Sequence, residues 1–111
     1  MSDSEMREAI KQFADKIMAS DTYMEYLYQR EKIKKQPALY DKVNEYRQRN
    51  FELQNETDEE DLFDRMEAFE REYEKFREDP LVDDFLNAEL AFCRLMQEID
   101  LLLAQAIDFE L

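Results

Sequence analysis

The sequence predicts an all-α, bundle-like protein of about five helices, in which short N-terminal helices precede a long antiparallel C-terminal helical hairpin. Apolar residues recur at steps of three and four along nearly the whole chain, and no segment alternates with a period of two. The chain contains no glycine and only two prolines, each of which falls where one apolar stripe gives way to another. A chain of 111 residues has the size of one domain, so we expect a single helical domain over 1–111.

The five helices are expected over residues 3–19, 21–35, 38–54, 59–77 and 80–109. The first has four apolar residues at steps of 4, 3 and 4, which are Met6, Ile10, Phe13 and Ile17. Ser2 or Ser4 is a suitable N-cap for it, and Ser20 restarts the chain as the second helix. Pro37 ends the second helix, because the residue before a proline is disfavoured from helical backbone angles.

The third and fourth helices flank the segment NETDEED at 55–61, which is the clearest break in the pattern. The stripe of the third helix consists of Leu39, Val43, Tyr46, Asn50 and Leu53. Asn50 is either a buried register-setting residue or the edge of a stripe at which Phe51 turns inward. Thr57 or Asp58 is a suitable N-cap for the fourth helix. The stripe of that helix consists of Leu62, Met66, Phe69, Tyr73 and Phe76.

The fifth helix has the strongest pattern. Asp79 and Pro80 supply an N-cap followed by proline at the first helical position. Nine successive positions of a 4-3 alternation are apolar, namely Leu81, Phe85, Ala88, Phe92, Leu95, Ile99, Leu102, Ala106 and Phe109. Because only a short turn separates this helix from the fourth, the two are predicted to form the antiparallel hairpin.

The fifth helix also has more apolar surface than one stripe requires. A second stripe consists of Val82, Leu86, Cys93, Met96, Leu103 and Ile107. Leu90 and Leu101 share a third face. A helix that is apolar around most of its girth must be covered on most sides. A second copy of the chain is the simplest cover, so we predict a homodimer formed through the C-terminal helix, with Leu90 and Leu101 as candidate contact residues.

The residue types that the chain lacks exclude most standard active sites. Without glycine there is no Gly-rich phosphate loop and no nucleophile elbow. Without histidine the commonest general base is missing. A single thiol is too few for an iron–sulfur cluster within one chain. We therefore predict that the protein is not an enzyme and has no cofactor and no small-molecule substrate.

The net charge of −14 is concentrated after residue 54. Residues 1–54 carry 10 acids and 10 bases, whereas 55–80 are net −8 and 81–111 are net −6. Such a surface repels nucleic acid and anionic lipid, which makes a basic protein the better partner for this half. No apolar run reaches the length of a membrane span. The first residues do not resemble a signal peptide, and one cysteine suits a reducing compartment, so we expect a cytoplasmic location.

Acids and a thiol gather in the C-terminal helix. Asp83, Asp84 and Glu89 offer the oxygen ligands that a hard cation such as Mg²⁺ prefers. Asp83 and Asp84 also lie in the first turn of a helix, where the dipole alone favours acids, and we therefore predict no metal site. Cys93 has apolar residues among its helical neighbours, and we interpret it as a small buried hydrophobe and not as a nucleophile.

The segment YMEYLYQREKIKKQPALY, at 23–40, interleaves tyrosines with basic residues. Tyrosine and arginine are the usual hot-spot types of protein interfaces, so we predict a protein-binding patch with candidate residues Tyr26, Tyr28, Arg30 and Lys34. The alternative is an RNA-associated factor that uses this second helix, because rings and cations also bind single-stranded RNA. The net charge of the stretch 23–42 is only +2, which weakens that alternative.

Two stretches of the chain resemble the YlbF/YmcA family of small helical regulators from Gram-positive bacteria. One is YLYQREKIKKQPALYDKVNEYRQRNFELQ at 26–54, with two helices around a short break that contains proline. The other is DPLVDDFLNAELAFCRLMQEIDLLLAQAI at 79–107, with an acidic-proline start and an apolar repeat. Together with the acidic helix between them, they span nearly the whole chain.

The resemblance implies an all-helical cytosolic protein, often a dimer, that acts by binding other proteins. It also implies a link to competence, sporulation and biofilm development through a complex tied to messenger-RNA processing by a ribonuclease. Certain members of that complex carry cysteines associated with an iron–sulfur cluster. This chain departs there, since Cys93 is its only cysteine. The chain is therefore more similar to the members of unassigned function, and the resemblance implies a regulatory adaptor without catalytic residues.

Overall fold

The computed structural model describes residues 2–56 and 58–109. It is 90% helical, and neither of these ranges contains a strand, which confirms the predicted all-α, bundle-like fold class. The helices in these ranges are α1 (Asp3–Met18), α2 (Asp21–Lys34), α3 (Pro37–Glu56), α4 (Glu59–Glu72), α5 (Glu74–Glu78) and α6 (Pro80–Ala106). Within the described part of the chain, no helix combines the length and the apolar character needed to cross a lipid bilayer.

Local capping groups set the starts of three helices close to where the sequence predicts them. The Ser2 hydroxyl accepts a hydrogen bond at 3.2 Å from the backbone N–H three residues later, at the start of α1. Ser20 Oγ does the same at 3.2 Å for α2. Asp79 Oδ1 accepts from the N–H two residues later at 2.9 Å, with Pro80 at the first position of α6. Each cap satisfies a backbone donor that has no partner inside its own helix.

The start of α4 relies on its backbone. Asp58 occupies the N-cap position in an extended conformation, and its side chain makes no capping hydrogen bond. Its carbonyl accepts hydrogen bonds from the N–H groups of Asp61 and Leu62 at 3.1 and 3.0 Å. The first turn holds three acids that the helix dipole favours, which are Glu59, Glu60 and Asp61. Thr57, the other candidate cap, lies outside the described residues.

The helix that the sequence predicts over 59–77 is divided at Tyr73 into α4 and α5. Tyr73 has a φ of −102° and a ψ of 10°, which departs from helical geometry. Its N–H nevertheless bonds to the Phe69 carbonyl at 3.1 Å, and its own carbonyl accepts from the Arg77 N–H at 2.9 Å. The ladder of backbone hydrogen bonds therefore continues through a local bend.

The C-terminal end of α6 lies at Ala106, before the predicted end at 109. The Phe109 N–H bonds to the Ala104 carbonyl at 2.8 Å, and the Asp108 N–H bonds to the Gln105 carbonyl at 3.2 Å. These two bonds form a Schellman motif. Asp108 has the left-handed conformation that this cap requires, with a φ of 57°. Glycine usually takes that position, and in a chain without glycine the short polar side chain of aspartate tolerates it.

The chain divides into two compact units. The central unit is Arg30–Leu86, and the terminal unit combines Met1–Gln29 with Asn87–Leu111. The expectation that all of 1–111 behaves as one domain stays a prediction.

The central unit has a closed apolar core. Its buried apolar side chains are Ile33, Val43, Phe69, Tyr73, Phe76, Val82 and Phe85. Tyr46 of α3 stacks on Phe69 of α4 with ring centroids 5.2 Å apart and meets Tyr73 edge-on at 5.1 Å. Full burial of one such side chain stabilises the fold by roughly 1.5–3 kcal/mol. Burial of the aromatic cluster therefore contributes strongly to the stability of the packing between α3 and α4.

The terminal unit buries much less. Among its described residues, the buried ones are Gln29, Ala88 and Ala104. Its main ring contacts join α2 to α6: Tyr26 stacks on Phe92 with centroids 5.5 Å apart, and Tyr23 meets Phe92 edge-on at 5.3 Å. All three rings remain half-buried. The terminal unit therefore has an aromatic contact but no fully buried aromatic core in its described part.

Candidate interaction surface

Large apolar side chains are exposed almost entirely in the terminal unit. Of the fourteen that are exposed among the described residues, twelve lie there and two, Phe51 and Phe63, lie in the central unit. We name these twelve the terminal apolar surface: Met6, Ile10, Phe13, Met18, Met24, Tyr28, Leu90, Leu101, Leu102, Leu103, Ile107 and Phe109. Exposed apolar side chains are thus concentrated in one of the two units, which makes this unit the candidate for contact with another molecule.

Helix α1 contributes three members of this surface at helical spacing. Met6, Ile10 and Phe13 are 51%, 61% and 39% exposed, and Ile17 completes their stripe as a half-buried residue. All sixteen residues of α1 are described, and none of them is buried. The stripe that the sequence predicts as the packing face of α1 is therefore only partly covered in the single chain.

The large apolar side chains of α6 are buried near its N-terminal end and exposed near its C-terminal end. Val82 and Phe85 are fully buried, whereas Leu101, Leu102 and Leu103 are each about half exposed. The apolar repeat continues through both parts without change, so the sequence pattern alone does not show where the cover ends. Leu90 and Leu101, the predicted contact residues of this helix, are both exposed.

The four tyrosines of the 23–40 segment have different surroundings. Tyr23 and Tyr26 pack on Phe92, and Tyr40 meets Phe85 edge-on with centroids 6.3 Å apart. Tyr28 is 59% exposed and belongs to the terminal apolar surface. Tyr23, Tyr26 and Tyr40 thus have ring contacts within the chain, whereas a helix that binds single-stranded RNA presents its rings for stacking on bases.

The two basic candidates of this segment are also placed differently. Arg30 is half-buried, with its Nε 3.5 Å from a carboxylate oxygen of Glu31. Lys34 is exposed, and its Nζ lies 6.0 Å from the centroid of the Tyr40 ring. A role for Tyr26, Tyr28, Arg30 and Lys34 in partner binding stays a prediction.

Two expectations about single residues are wrong. Cys93 is exposed, not buried, since it lies in the terminal unit, whose described part buries few side chains. Phe51 is 62% exposed and does not turn inward. Asn50 beside it is half-buried and accepts a hydrogen bond from Gln54 Nε2 at 3.3 Å.

A polar network in the central unit was not predicted from the sequence. Arg49 of α3 donates two hydrogen bonds to the carboxylate of Glu72 in α4, at 2.5 and 2.9 Å. It also donates to the Tyr73 hydroxyl at 3.0 Å, and that hydroxyl donates to Glu45 at 3.0 Å. The partners are more than twenty residues apart in the sequence, where no local spacing signals a pair. The geometry is the bidentate form that makes an arginine–carboxylate pair strong and directional.

The network fixes the charge states of its members. The hydrogen bond from Arg49 lowers the pKa of Glu72, and the bonds to Glu72 and Tyr73 raise the pKa of Arg49. Burial raises the pKa of the Tyr73 phenol. At neutral pH these three groups are a cation, an anion and a neutral hydroxyl, none of them poised to exchange a proton near pH 7. The network therefore joins two helices and does not have the properties of an acid–base catalyst.

The cavity beside this network is lined by charged side chains of both signs. It has a volume of about 440 Å³ and is lined by Arg49, Glu52, Leu53, Arg65, Ala68, Phe69 and Glu72. Arg49 and Glu72 neutralise each other, and Glu52 accepts a hydrogen bond from Gln48 at 2.9 Å. Within the described ranges, no three acidic or cysteine side chains come together in a way that could hold a metal ion.

A comparison with protein families gives a match over nearly the whole chain. The family model described as control of competence regulator ComK, YlbF/YmcA, matches residues 6–108. This range contains both stretches that carry the resemblance in the sequence, at 26–54 and 79–107. No curated protein and no solved structure matches the chain significantly.

Proposed function

The chain belongs to the YlbF/YmcA family of competence regulators, and we propose from that premise that it is a regulatory adaptor that acts as a homodimer. Its role is to bind proteins and not to catalyse a reaction. The dimer forms through the terminal apolar surface, which includes the C-terminal part of α6. A cytoplasmic location suits this role, since the chain has one cysteine and an acidic surface.

The observation that carries the proposal is the extent of the terminal apolar surface. Twelve side chains that are about half exposed offer on the order of 1,000 Å² of apolar area, at roughly 150–200 Å² for each fully exposed side chain. A stable protein interface takes about 800 Å² from each partner. The summed area is comparable to that figure, and a monomer would leave it in contact with water.

The polar groups of the central unit support a non-catalytic role. Arg49, Glu72 and Tyr73 are bonded to one another and have pKa values shifted away from neutrality. The cavity beside them has neither a thiol nor a hydroxyl nucleophile in its lining. The chain also lacks histidine. A general base with a pKa near 7, which acid–base enzymes require, has no candidate in this network.

The dimer is tested by light scattering on the wild type and on two variants of α6, Leu101→Asp and Leu103→Asp. We expect the wild type to have twice the 13.6 kDa mass of one chain. We expect at least one variant to be monomeric at micromolar concentration, because a buried aspartate without a partner destabilises an interface. Phe63→Asp is the matched control, since Phe63 is 75% exposed but lies in the central unit. It should remain dimeric.

A wild type of 13.6 kDa at micromolar concentration would contradict the dimer. The regulatory role is tested separately in the native host, by measuring competence after deletion of the gene. Wild-type protein should restore the phenotype, and so should the Phe63→Asp control. If the monomeric α6 variant restored it equally well, the dimer would not be needed for regulation.

A further inference from the structure

Three methionines of the chain have side chains that are open to solvent. Met6, Met18 and Met24 are 51%, 47% and 55% exposed, and all three belong to the terminal apolar surface. The other two methionines in the described ranges, Met66 and Met96, are half-buried. An oxidant dissolved in water must reach the sulfur atom, so we expect the three exposed methionines to be oxidised first.

Oxidation changes the chemical character of a methionine side chain. The lone pair of the thioether sulfur attacks one oxygen of hydrogen peroxide, and a sulfur–oxygen bond forms as the oxygen–oxygen bond breaks. The second oxygen takes up both protons and leaves as water, so the sulfur is oxidised by two electrons and the peroxide is reduced by two. The product, methionine sulfoxide, is polar where the thioether was apolar, and sulfoxide reductases reverse the change.

The three exposed methionines lie where such a change affects the proposed dimer. Met6 belongs to the exposed stripe of α1 together with Ile10 and Phe13. Met18 is the last residue of α1, and Met24 lies in the first turn of α2. Burial of a polar group without a hydrogen-bond partner costs free energy. Sulfoxides at these positions therefore oppose the burial of the surface through which the dimer forms.

We propose that Met6, Met18 and Met24 are oxidation sites through which peroxides control assembly. The sulfoxide forms on the dissociated chain and keeps that chain from reassembling, until a reductase removes the oxygen. The inference rests on the proposed homodimer, whereas the exposure of the three side chains is a property of the single chain. Dimer formation covers the methionines and slows their oxidation, and their oxidation in turn weakens the dimer.

The first experiment measures which methionines are oxidised and how fast. Every protein has a Cys93→Ser background, because the exposed thiol also reacts with peroxide. Hydrogen peroxide is added at one protein concentration to the wild type and to the monomeric α6 variant of the dimer test, and peptide mass spectrometry follows each methionine. In the monomeric variant we expect Met6, Met18 and Met24 to be oxidised about threefold faster than Met66, or more.

The same experiment tests whether the dimer protects the surface. In the wild type we expect oxidation of at least one of the three exposed methionines to be slower than in the monomeric variant. Oxidation of Met66 should proceed at the same rate in both proteins, because Met66 lies in the central unit and outside the terminal apolar surface.

The second experiment measures the dimer after oxidation. Analytical ultracentrifugation gives the dissociation constant before and after mild peroxide treatment for the wild type, for Met6→Leu/Met18→Leu/Met24→Leu and for the matched control Met66→Leu. We expect treatment to raise the dissociation constant about tenfold or more in the wild type and the control. The triple variant should stay close to its own untreated value. Each protein is compared with itself, so any direct effect of leucine on assembly cancels.

The outcomes separate this regulation from the dimer itself. A treated wild type that dimerises as tightly as the untreated chain would overturn the regulation and leave the dimer standing. An equal loss of affinity in the triple variant would do the same, since oxidation elsewhere would then be the cause. Equal oxidation rates for Met66 and the three exposed methionines in the monomeric variant would overturn the assignment of the sites.

Two further results would also count against the proposal. A wild type that is monomeric before treatment would contradict the proposed dimer and its regulation together. Circular dichroism of the treated wild type should retain the helical signal, since the three positions are not part of a buried core. A loss of that signal together with the dimer would assign the effect to unfolding and overturn the regulation.

Discussion

The central and terminal units of this chain are both helical, but the central unit buries its large apolar side chains and the terminal unit exposes them. In the described part of the chain, the large apolar side chains that are buried all lie in the central unit, and twelve of the fourteen that are exposed lie in the terminal unit. The difference teaches that the apolar pattern of a helix shows how much surface must be covered. It does not show whether the cover comes from the same chain.

The largest expected effect compares two phenylalanines of α6. Phe85 is fully buried in the central unit, and Phe92 is half-buried in the terminal unit. Phe85→Ala should lower the free energy of unfolding by about 3–5 kcal/mol, because it removes a core ring and leaves a cavity. Phe92→Ala should cost about half as much, since part of its ring is already in contact with water. Urea unfolding of both variants at the same protein concentration gives the two values.

Equal losses in the free energy of unfolding for Phe85→Ala and Phe92→Ala would contradict the difference in burial between the two units. If they became equal only at high protein concentration, Phe92 would be covered by a second copy, because binding stabilises the folded state by mass action. Phe85→Ala should show no such dependence on concentration beyond that of the wild type.

How much could be predicted differs between the fold and the surface. The helix starts at Ser2, Ser20 and Asp79 follow local hydrogen-bonding groups, which a sequence displays directly. The bond between Arg49 and Glu72 joins residues that are far apart in the sequence, so no spacing rule finds it. The predicted burial of Cys93 is wrong for a further reason, which is that an apolar stripe looks the same with and without its partner.

The next effect concerns the hydrogen bonds that the Tyr73 hydroxyl makes in the central unit. Tyr73→Phe keeps the ring but removes the hydroxyl that accepts from Arg49 and donates to Glu45. We expect a loss of about 1–2 kcal/mol in the free energy of unfolding, because both bonds are partly buried and both Arg49 and Glu45 are charged. Thermal and urea unfolding measure it.

Tyr46→Phe is the matched control for this prediction. The Tyr46 hydroxyl accepts a hydrogen bond from Arg77 at 2.9 Å in an exposed position, so its loss should change stability by less than about 0.5 kcal/mol. Similar losses for Tyr46→Phe and Tyr73→Phe would mean that the network contributes no more than an ordinary surface hydrogen bond.

A smaller effect is expected at the largest buried side chain in the described part of the terminal unit. Gln29 donates to Glu25 at 2.8 Å, but its buried Oε1 has no hydrogen-bond partner among the described residues. Gln29→Met should leave stability unchanged or raise it by up to about 1 kcal/mol, because an unsatisfied buried acceptor is costly. Urea unfolding compares it with Gln48→Met, which removes an exposed glutamine that bonds to Glu52 at the same spacing.

Gln48→Met should give no gain in stability, since the Gln48 amide is in contact with water. A clear loss for Gln29→Met would contradict the prediction, and it would mean that the hydrogen bond from Gln29 to Glu25 stabilises the fold by more than the unsatisfied Oε1 costs.

The smallest effect is the pH dependence of the stability that the Arg49–Glu72 pair contributes between α3 and α4. The Arg49 hydrogen bond lowers the pKa of Glu72 below its ordinary value of 4.5, with a smaller contribution from the charge of Lys42. A carboxylate whose pKa is lower in the folded state stabilises that state above the unfolded pKa, and this contribution is lost as the pH falls through the folded value. Glu72→Gln should therefore be less stable than the wild type at pH 7, and the difference should shrink below about pH 4.5.

Thermal unfolding between pH 7 and pH 3 measures this difference, with Glu70→Gln as a control of equal charge change. Glu70 is an exposed glutamate of the same helix and makes no ion pair with the residues that the structure describes. Its variant should follow the wild type across the whole range. The effect at Glu72 is small because the pair is exposed to solvent, which screens the interaction. A difference that is constant with pH would assign the contribution of Glu72 to packing of its side chain and not to its charge.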